Sequence, residues 1–451
     1  MLRPRFSVII VAFLVAGWGL GGLVTKARAV PSFARQTGMS CTMCHTVWPQ
    51  LTPFGRTFKL NGYTMSKTGK KYQFPPPVAG MFEGSFTHTD KAQPPGAAPN
   101  NSQANDNVNL PQQASVFYAG KIYDKLGAFM QLTYDGVGNT FFIDNTDIRF
   151  ADTTKIADKL LVYGISFNNN PTVQDVYNTT PAWGFPFASS SVAPGPAAGA
   201  VIDGALASQV SGLGAYLYWN NLIYGEVNFY RTAANSYSQP LSAGTVITSL
   251  VDGIAPYWRL FVQHQWGKHS LEVGHYGMVT HIFPGGQTRG STDEFIDIAF
   301  DAQYQYISRR HKFAILGTWI HEIQNWNASY ALGDTANRHD TLETIRVNCN
   351  YSYWSDYGTF GGTVAFFNIF GNRDTGLYAP DPLDGSKSGL PNTNGVIIQG
   401  EYLPPIWGRR SKIVVQYTLY SNFNGAGTDY DGSARNASDN NTLYLLAWLM
   451  F

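Results

Sequence analysis

The 451-residue sequence predicts an all-β fold, an antiparallel, porin-like transmembrane β-barrel of about 16 strands that follows a short N-terminal segment. Three observations predict it. Only 14% of the residues are charged, against roughly 25% in an average soluble protein, while aromatic residues also reach 14%. Apolar and polar residues alternate along many short segments, and short connections alternate with long ones. The net charge of +1 lacks the basic excess typical of nucleic-acid binding, so no nucleic-acid partner is expected.

The N-terminus predicts export. Arg3 and Arg5 precede an uncharged run over 6–24, and Ala27-Arg28-Ala29 is a small-x-small cleavage site. We therefore expect a signal peptide over 1–29 and a mature chain that begins at Val30. A retained membrane anchor is the alternative, because the uncharged run is long enough to span a bilayer.

Two of the three cysteines lie in Cys41-Thr42-Met43-Cys44-His45. C-x-x-C-H is the attachment sequence of c-type haem, in which the thiols form thioethers and the histidine is an axial iron ligand. A redox dithiol or half of a zinc site would use the same residues. No second Cys/His pair at zinc spacing follows, and no βαβ pattern supports a thioredoxin fold. The motif predicts one covalent haem c, with His45 as the iron ligand that carries the chemistry.

The sixth iron ligand is predicted at Met65, which follows two Gly-containing stretches where the chain could fold back. A thioether ligand would raise the reduction potential relative to a second imidazole. Met39, Met81 and His88 are the competing candidates, so the sequence leaves this choice open.

The predicted haem segment, 30–77, is far below the roughly 70–80 residues at which one hydrophobic core becomes sufficient. A covalent haem, or a wall supplied by the rest of the chain, would compensate. The run Phe74-Pro75-Pro76-Pro77 is a stiff connector to the predicted barrel, 78–451.

Alternation with a period of two is clearest over 344–353. Ile345 and Val347 share one face there, and Arg346 and Asn348 share the other. A soluble β-sandwich would show the same alternation with its apolar face inward. The predicted strands are 78–89, 114–123, 126–134, 141–151, 158–168, 211–219, 222–231, 257–266, 269–280, 295–307, 311–322, 341–354, 359–369, 394–404, 411–421 and 442–451.

The connections favour the membrane barrel over the sandwich. Outer-membrane barrels have short periplasmic turns and long extracellular loops. The short connections include 124–125, 220–221, 267–268 and 308–310, and the long ones are 90–113, 169–210, 232–256, 370–393 and 422–441. We therefore expect 169–210 and 370–393 outside the cell and the short turns in the periplasm.

The last predicted strand ends at Phe451, with Leu443, Leu445 and Leu449 on the same face. A terminal aromatic on an alternating strand resembles the assembly signal of outer-membrane barrels. In this register Cys349 faces lipid, where a thiol behaves as a small hydrophobic group.

Several segments resemble a known family, the fused monohaem cytochrome–porins, which are outer-membrane iron-oxidising cytochromes. The resemblance covers the whole mature chain. It is carried by 33–39, the Cys41–His45 motif, Phe54-Gly55-Arg56, Phe58-Lys59-Leu60, Gly62-Tyr63, 168–173 and 181–186.

The resemblance implies that extracellular Fe(II) donates an electron to the haem and that a periplasmic c-type cytochrome accepts it. Cys41 and Cys44 would hold the haem and His45 would ligate the iron, and the protein would be an Fe(II) oxidase of the outer membrane. A haem-bearing solute porin, a surface electron-transfer protein with another donor, and a periplasmic haem carrier with a soluble β-domain are the alternatives.

One haem serves both sides of an insulating bilayer only from inside the pore, so we expect the haem segment in the barrel lumen. Four acidic residues on predicted lumen faces could concentrate a divalent cation there or could simply be solvated: Glu226, Glu272, Asp297 and Asp301.

Overall fold

The computed structural model describes residues 31–100, 102–180, 184–233, 236–405 and 409–451. The predicted signal peptide, 1–29, and the predicted mature start at Val30 lie outside these residues, as do Pro181, Ala182 and Trp183 of the family resemblance. None of the helices in the described residues is long and apolar enough to cross a membrane.

The predicted barrel is confirmed. The sheet has seventeen strands, of which β8 has only two residues, and the other sixteen form a closed antiparallel barrel. Closure occurs where β1 pairs with both β2 and β17, for example through Met81 opposite Met450. The strands are β1 Val78–Thr89, β2 Asn107–Tyr123, β3 Leu126–Asp135, β4 Thr140–Ile156, β5 Lys159–Asn168, β6 Val210–Trp219, β7 Ile223–Thr232, β8 Leu250–Val251, β9 Ala255–Trp266, β10 His269–Phe283, β11 Asp293–Ile307, β12 His311–Asn325, β13 His339–Ser355, β14 Gly358–Gly371, β15 Thr393–Leu403, β16 Ser411–Asn422 and β17 Thr442–Met450.

The long strands match the predicted ones closely, with three differences of substance. β4 continues to Ile156 rather than ending at 151, because Asp152–Ile156 pair with Lys159–Tyr163 of β5. β2 begins at Asn107 rather than at 114, because Asn107–Asn109 pair with Ser85–Thr87 of β1 beyond a β-bulge. The two residues of β8 were not predicted as a strand. They pair with Ile282 and Phe283 at the end of β10, inside the connection between β7 and β9.

The wall alternates as a membrane barrel requires. Along β13, Val347, Cys349 and Tyr351 are exposed on the outer surface, whereas Asn348 and Asn350 are buried toward the lumen. Cys349 thus lies on the lipid-facing side, as predicted. The outer surface of other strands carries the same apolar belt: Leu213, Leu217, Val227, Phe229, Leu260, Val262, Val273, Phe300, Val364, Phe366, Ile398 and Val415. The even-stranded closed wall and this belt make the chain an outer-membrane barrel.

The described residues contain four short α-helices: α1 Pro31–Thr37, α2 Cys41–Cys44, α3 Pro53–Leu60 and α4 Asn327–Leu332. The first three belong to the N-terminal segment, which lies in the mouth of the barrel at the end that carries the short turns. Lys121 Nζ, at the end of β2, donates to the carbonyl of Lys70 at 3.1 Å, and Arg56 donates to Gln305 Oε1 of β11 at 2.8 Å.

The connection 169–209 leaves β5 at the long-loop end and folds back into the lumen instead of staying outside. Val201, Ile202 and Leu206 of this inner loop are buried against Tyr257 and Tyr276 of the wall. The barrel is therefore filled from both ends, by the N-terminal segment and by the inner loop.

Candidate functional site

The Cys-x-x-Cys-His motif forms a single helical turn. Residues three apart in a helix share one face, so α2 presents Cys41 and Cys44 on the same side. The backbone N–H of His45 donates to the carbonyl of Cys41 at 2.9 Å, which ends the turn and directs the histidine out of the helix. Lys312 of β12 donates to the carbonyls of Thr42 and His45, both at 3.1 Å.

Helix α3 packs directly on this turn. Thr52 caps α3 by accepting from the N–H of Gly55, and its hydroxyl donates to the carbonyl of Met43. A Cβ at Gly55 would lie 2.3 Å from the carbonyl oxygen of Cys44. Only glycine therefore fits at this position of the Phe54-Gly55-Arg56 stretch.

A hydrogen bond to the backbone of Pro49 orients the ring of His45. Its Nδ1 lies 3.1 Å from the carbonyl oxygen of Pro49. A carbonyl only accepts, so Nδ1 carries the proton and Nε2 keeps its lone pair, as in histidines that ligate metals. Burial lowers the pKa of His45 to about 4, an effect that outweighs the opposite influence of the backbone hydrogen bonds to Pro49 and Gln50. The imidazole is therefore neutral, which is the ligating form.

The two thiols are held in the protonated form. Burial raises the pKa of Cys41 to about 11 and that of Cys44 to about 12. Reactive redox dithiols have a lowered pKa in an electropositive setting, so this environment differs from that of a catalytic disulfide.

Cys41, Cys44 and His45 line one side of a cavity of about 390 Å³, which is within the usual size range of cofactor sites. The opposite side is the inner wall of the barrel, and a third side is the inner loop at Gly184, Pro186 and Phe187. The lining includes eight aromatic residues, Phe33, Trp48, Phe58, Tyr63, Phe117, Phe129, Phe187 and Trp448, and four charged residues, Lys59, Glu83, Asp144 and Asp147.

The methionines are distributed unevenly around this cavity. Met39, Met81 and Met450 line it. Met65, the predicted sixth ligand, is half-buried outside the lining, and its carbonyl accepts from Gln36 Nε2 at 2.9 Å. The sixth ligand stays a prediction.

The other competing candidate is His88 on β1. The side chain of Glu83 on the same strand faces the lumen, so the alternation along β1 turns His88 to the outer face. Its Nδ1 lies 2.7 Å from Asp106 Oδ1. Among the described residues, no three His, Cys, Asp or Glu side chains form a group that could hold a metal ion.

A second cavity of about 380 Å³ lies next to the first, on the side of the long loops. The direction follows from β17, because Trp448 and Met450 line the first cavity whereas Thr442 and Tyr444 line the second. Gly184 and Pro186 line both, so the inner loop is the partition between them.

The four acidic residues predicted on the lumen faces are all buried inside the barrel. Arg259 lies 2.8 Å from Asp301 Oδ2 and 3.4 Å from Glu272 Oε1. Glu226 accepts from Tyr224 at 2.7 Å, and Asp297 accepts from the backbone N–H of Ile202 at 3.2 Å. Asp297 and Asp301 also contact the inner loop, through Ile202 and Thr179, whereas the hydrogen bonds of Glu226 lie within β7.

The position of the inner loop inside the barrel was not predicted from the sequence. Its Asp175 pairs with Arg259 at 3.1 Å, its Asp203 pairs with Arg346, and Glu322 of β12 accepts from the N–H of Val201 at 2.5 Å. The signal was present in its composition, because 169–209 contains two Asp and no Lys or Arg. Lone acids in an otherwise uncharged, partly apolar connection indicate partners inside the barrel.

No family model and no curated protein sequence matches the chain. Solved outer-membrane channels are similar in architecture at 10–12% identity. DcaP of Acinetobacter baumannii has a TM-score of 0.47 at 12% identity and covers 83% of this chain and 96% of its own. OmpF of Salmonella typhi has 0.43 at 10%, covering 83% and 97%, and an OmpT loop-deletion variant of Vibrio cholerae has 0.44 at 10%, covering 83% and 98%.

Proposed function

We propose that this protein conducts electrons across the outer membrane through one c-type haem, which is held by Cys41 and Cys44 and ligated by His45. Extracellular Fe(II) is the donor and a periplasmic c-type cytochrome is the acceptor. The observation that carries the proposal is the cavity that the two cysteines and His45 share with the inner wall of the barrel.

The donor set fits a covalent haem. The two thiols lie on one face of a helical turn, and a neutral His45 with a protonated Nδ1 follows directly. The aromatic lining suits a flat apolar macrocycle, and the haem would supply a one-electron couple there.

The chain's own residues orient and shield the site. Pro49 fixes the tautomer of His45, and Gly55 lets α3 close on the back of the attachment turn. The inner loop at Gly184–Phe187 separates the site from the second cavity. A donor that enters from the long-loop end would reach the second cavity first. The inner loop at Gly184–Phe187 would then lie between the donor and the haem.

The filled lumen favours electron transfer over the passage of solutes. The N-terminal segment and the inner loop meet in the middle, where Lys59 Nζ donates to the carbonyls of Val173 at 2.6 Å and Asp175 at 3.1 Å. A solute porin needs an open aqueous lumen, whereas an electron needs only closely packed groups. The resemblance to the monohaem cytochrome–porins supports the same function.

The test uses the holoprotein in sealed cells or in proteoliposomes with the long loops outside. External Fe(II) should reduce the wild-type haem, followed by absorbance. His45→Ala should shift the Soret band and lose normal reduction. Haem that stays oxidised at every tested pH, while dithionite reduces it, would exclude Fe(II) as the donor.

A substitution that fills the second cavity tests the route. Ala193 lines this cavity, so Ala193→Trp should slow reduction by Fe(II) and leave the Soret band unchanged. Ala379→Trp, in a separate cavity among the long loops, is the matched control. Equal reduction rates in the two variants would contradict entry through the second cavity.

The sixth ligand is tested by spectroscopy. Met65→Ala, Met39→Ala and Met81→Ala are compared for loss of the long-wavelength absorption band of a methionine–iron(III) bond. Loss of the band in Met65→Ala alone would establish the predicted ligand. Loss in one of the other two would assign the ligand to a methionine that lines the cavity.

A further inference from the structure

The two ends of the barrel differ in surface charge. Residues 31–77, in the short-turn mouth, contain six Lys and Arg and no Asp or Glu. In the described part of this end, exposed bases outnumber the exposed acids, which are Asp124, Asp158 and Asp356. The exposed bases include Lys67, Lys70, Lys71, Lys268, Arg309 and Arg310.

The long-loop end has no such excess. Exposed acids such as Asp90, Asp252 and Asp381 are interspersed there with exposed bases such as Arg231 and Arg289. The basic face is therefore specific to the end that carries the Cys41–His45 motif and is not a general property of the surface.

The basic residues of the N-terminal segment are fixed around this motif. The carbonyls of Lys70 and Lys71 accept from Lys121 Nζ and from the N–H of Asp124, which holds this stretch at the rim of the barrel. The side chain of Lys67 lies against Gly38, three residues before Cys41. Between the two cysteines, Met43 is 47% exposed and adds an apolar contact point.

We propose that the basic short-turn face docks an acidic, soluble electron-transfer protein of the periplasm. This inference rests on the proposed function and adds the surface and the charge of the partner. The partner takes up one electron, and no bond forms or breaks. Complementary charge speeds the encounter of two proteins, and a small contact suits the brief complexes of electron transfer.

A protein partner fits better than lipid. Lys67, Lys70 and Lys71 belong to the segment inside the barrel mouth, whereas anionic headgroups surround the outer wall. The bases that the segment adds therefore face the aqueous periplasm.

The experiment measures binding by the full-length holoprotein in nanodiscs at low ionic strength. The probes are two soluble monohaem cytochromes c, one acidic and one basic. The test variant is Lys67→Glu with Lys70→Glu and Lys71→Glu. The matched control, Arg231→Glu with Arg289→Glu and Arg338→Glu, makes the same change of charge at exposed residues of the long-loop end.

We expect the acidic cytochrome to bind the wild type and the control about equally and the test variant at least about tenfold more weakly, with added salt abolishing the difference. Equal binding to the test variant and the wild type would overturn the proposal. So would tighter binding of the basic cytochrome, or binding of the wild type only to vesicles that contain phosphatidylglycerol.

Reduction by Fe(II) is measured separately on the same variants. Normal reduction with no docking would refute this inference and leave the proposed function intact. Docking without reduction by Fe(II) would support the surface and refute iron as the donor.

Discussion

The two segments that fill the lumen are held by opposite chemistry. The N-terminal segment has no acidic residue, and its buried bases donate to neutral groups, as Arg56 does to Gln305 and Ser270. The inner loop has no basic residue, and its Asp175 and Asp203 pair with arginines of the wall. Where they meet, Lys59 of the segment donates to carbonyls of the loop.

The two segments therefore differ in structural role: the N-terminal segment presents the Cys41–His45 motif, and the inner loop separates the two cavities. Because the N-terminal segment contains no acidic residue, its exposed lysines are not neutralised within the segment. Ion pairs inside the lumen fix the inner loop at one depth, where it forms the partition of the two cavities. A buried pair also imposes a large penalty when one partner is removed, which makes the comparison testable.

The largest expected effect concerns the haem that we propose for the N-terminal segment. Cys41→Ala together with Cys44→Ala should abolish haem staining on a denaturing gel, because both thioethers are lost. Cys349→Ser, on the outer surface, should leave staining and spectrum unchanged. Staining that survives the double substitution would exclude a c-type haem.

The two ends of the barrel should also differ in access from outside. Single cysteines in 124–125 and in 372–392, in a Cys349→Ser background, are labelled on intact cells with an impermeant reagent. We expect labelling only in 372–392, because long loops of outer-membrane barrels are extracellular. Labelling only at 124–125 would show that the short turns face outward. It would reverse the proposed sides of the electron donor and the electron acceptor.

The ion pairs of the inner loop should differ in strength. Arg259 is fully buried among Asp175, Glu272 and Asp301, so Arg259→Met leaves three buried carboxylates and should cost about 3–5 kcal/mol of unfolding free energy. The side chain of Arg346 is 30% exposed and pairs with a single carboxylate, that of Asp203, so Arg346→Met should cost less than Arg259→Met.

Urea unfolding in detergent micelles measures both variants, and ion conductance in planar bilayers reports release of the loop. Equal costs would show that burial does not distinguish the two pairs. Unchanged conductance in Arg259→Met would show that the loop keeps its position without this arginine.

The smallest expected effect is a pH dependence at the contact between the two segments. Burial lowers the pKa of Lys59 from 10.5 to about 8. Between these values the unfolded chain holds a proton that the folded chain lacks, so stability rises with pH by up to about 1.4 kcal/mol per pH unit. Lys59→Met should remove this slope, and Lys67→Met, at an exposed lysine, should keep it. An unchanged slope in Lys59→Met would assign the dependence to other groups.

The sequence by itself determined the wall of the barrel. Alternation with a period of two follows from strand geometry, since successive side chains point to opposite faces. This is why the strands, the outward Cys349 and the inward Asn348 could be predicted without a fold. The Cys-x-x-Cys-His spacing likewise predicted that Cys41, Cys44 and His45 act together, because helical turns and covalent haem chemistry are both local.

Only the tertiary structure decided what fills the lumen. The fold of 169–209 depends on Arg259 and Arg346, which are distant in sequence, and the lone acids of this connection do not identify these partners without the fold. The same holds for the methionines, since Met81 and Met450 reach the cavity through strand pairing at barrel closure, whereas Met65 does not line it. Local sequence patterns specify which side chains face the lumen and which face lipid. Contacts across the lumen depend on which distant strands and connections pack together, and a local pattern does not encode this.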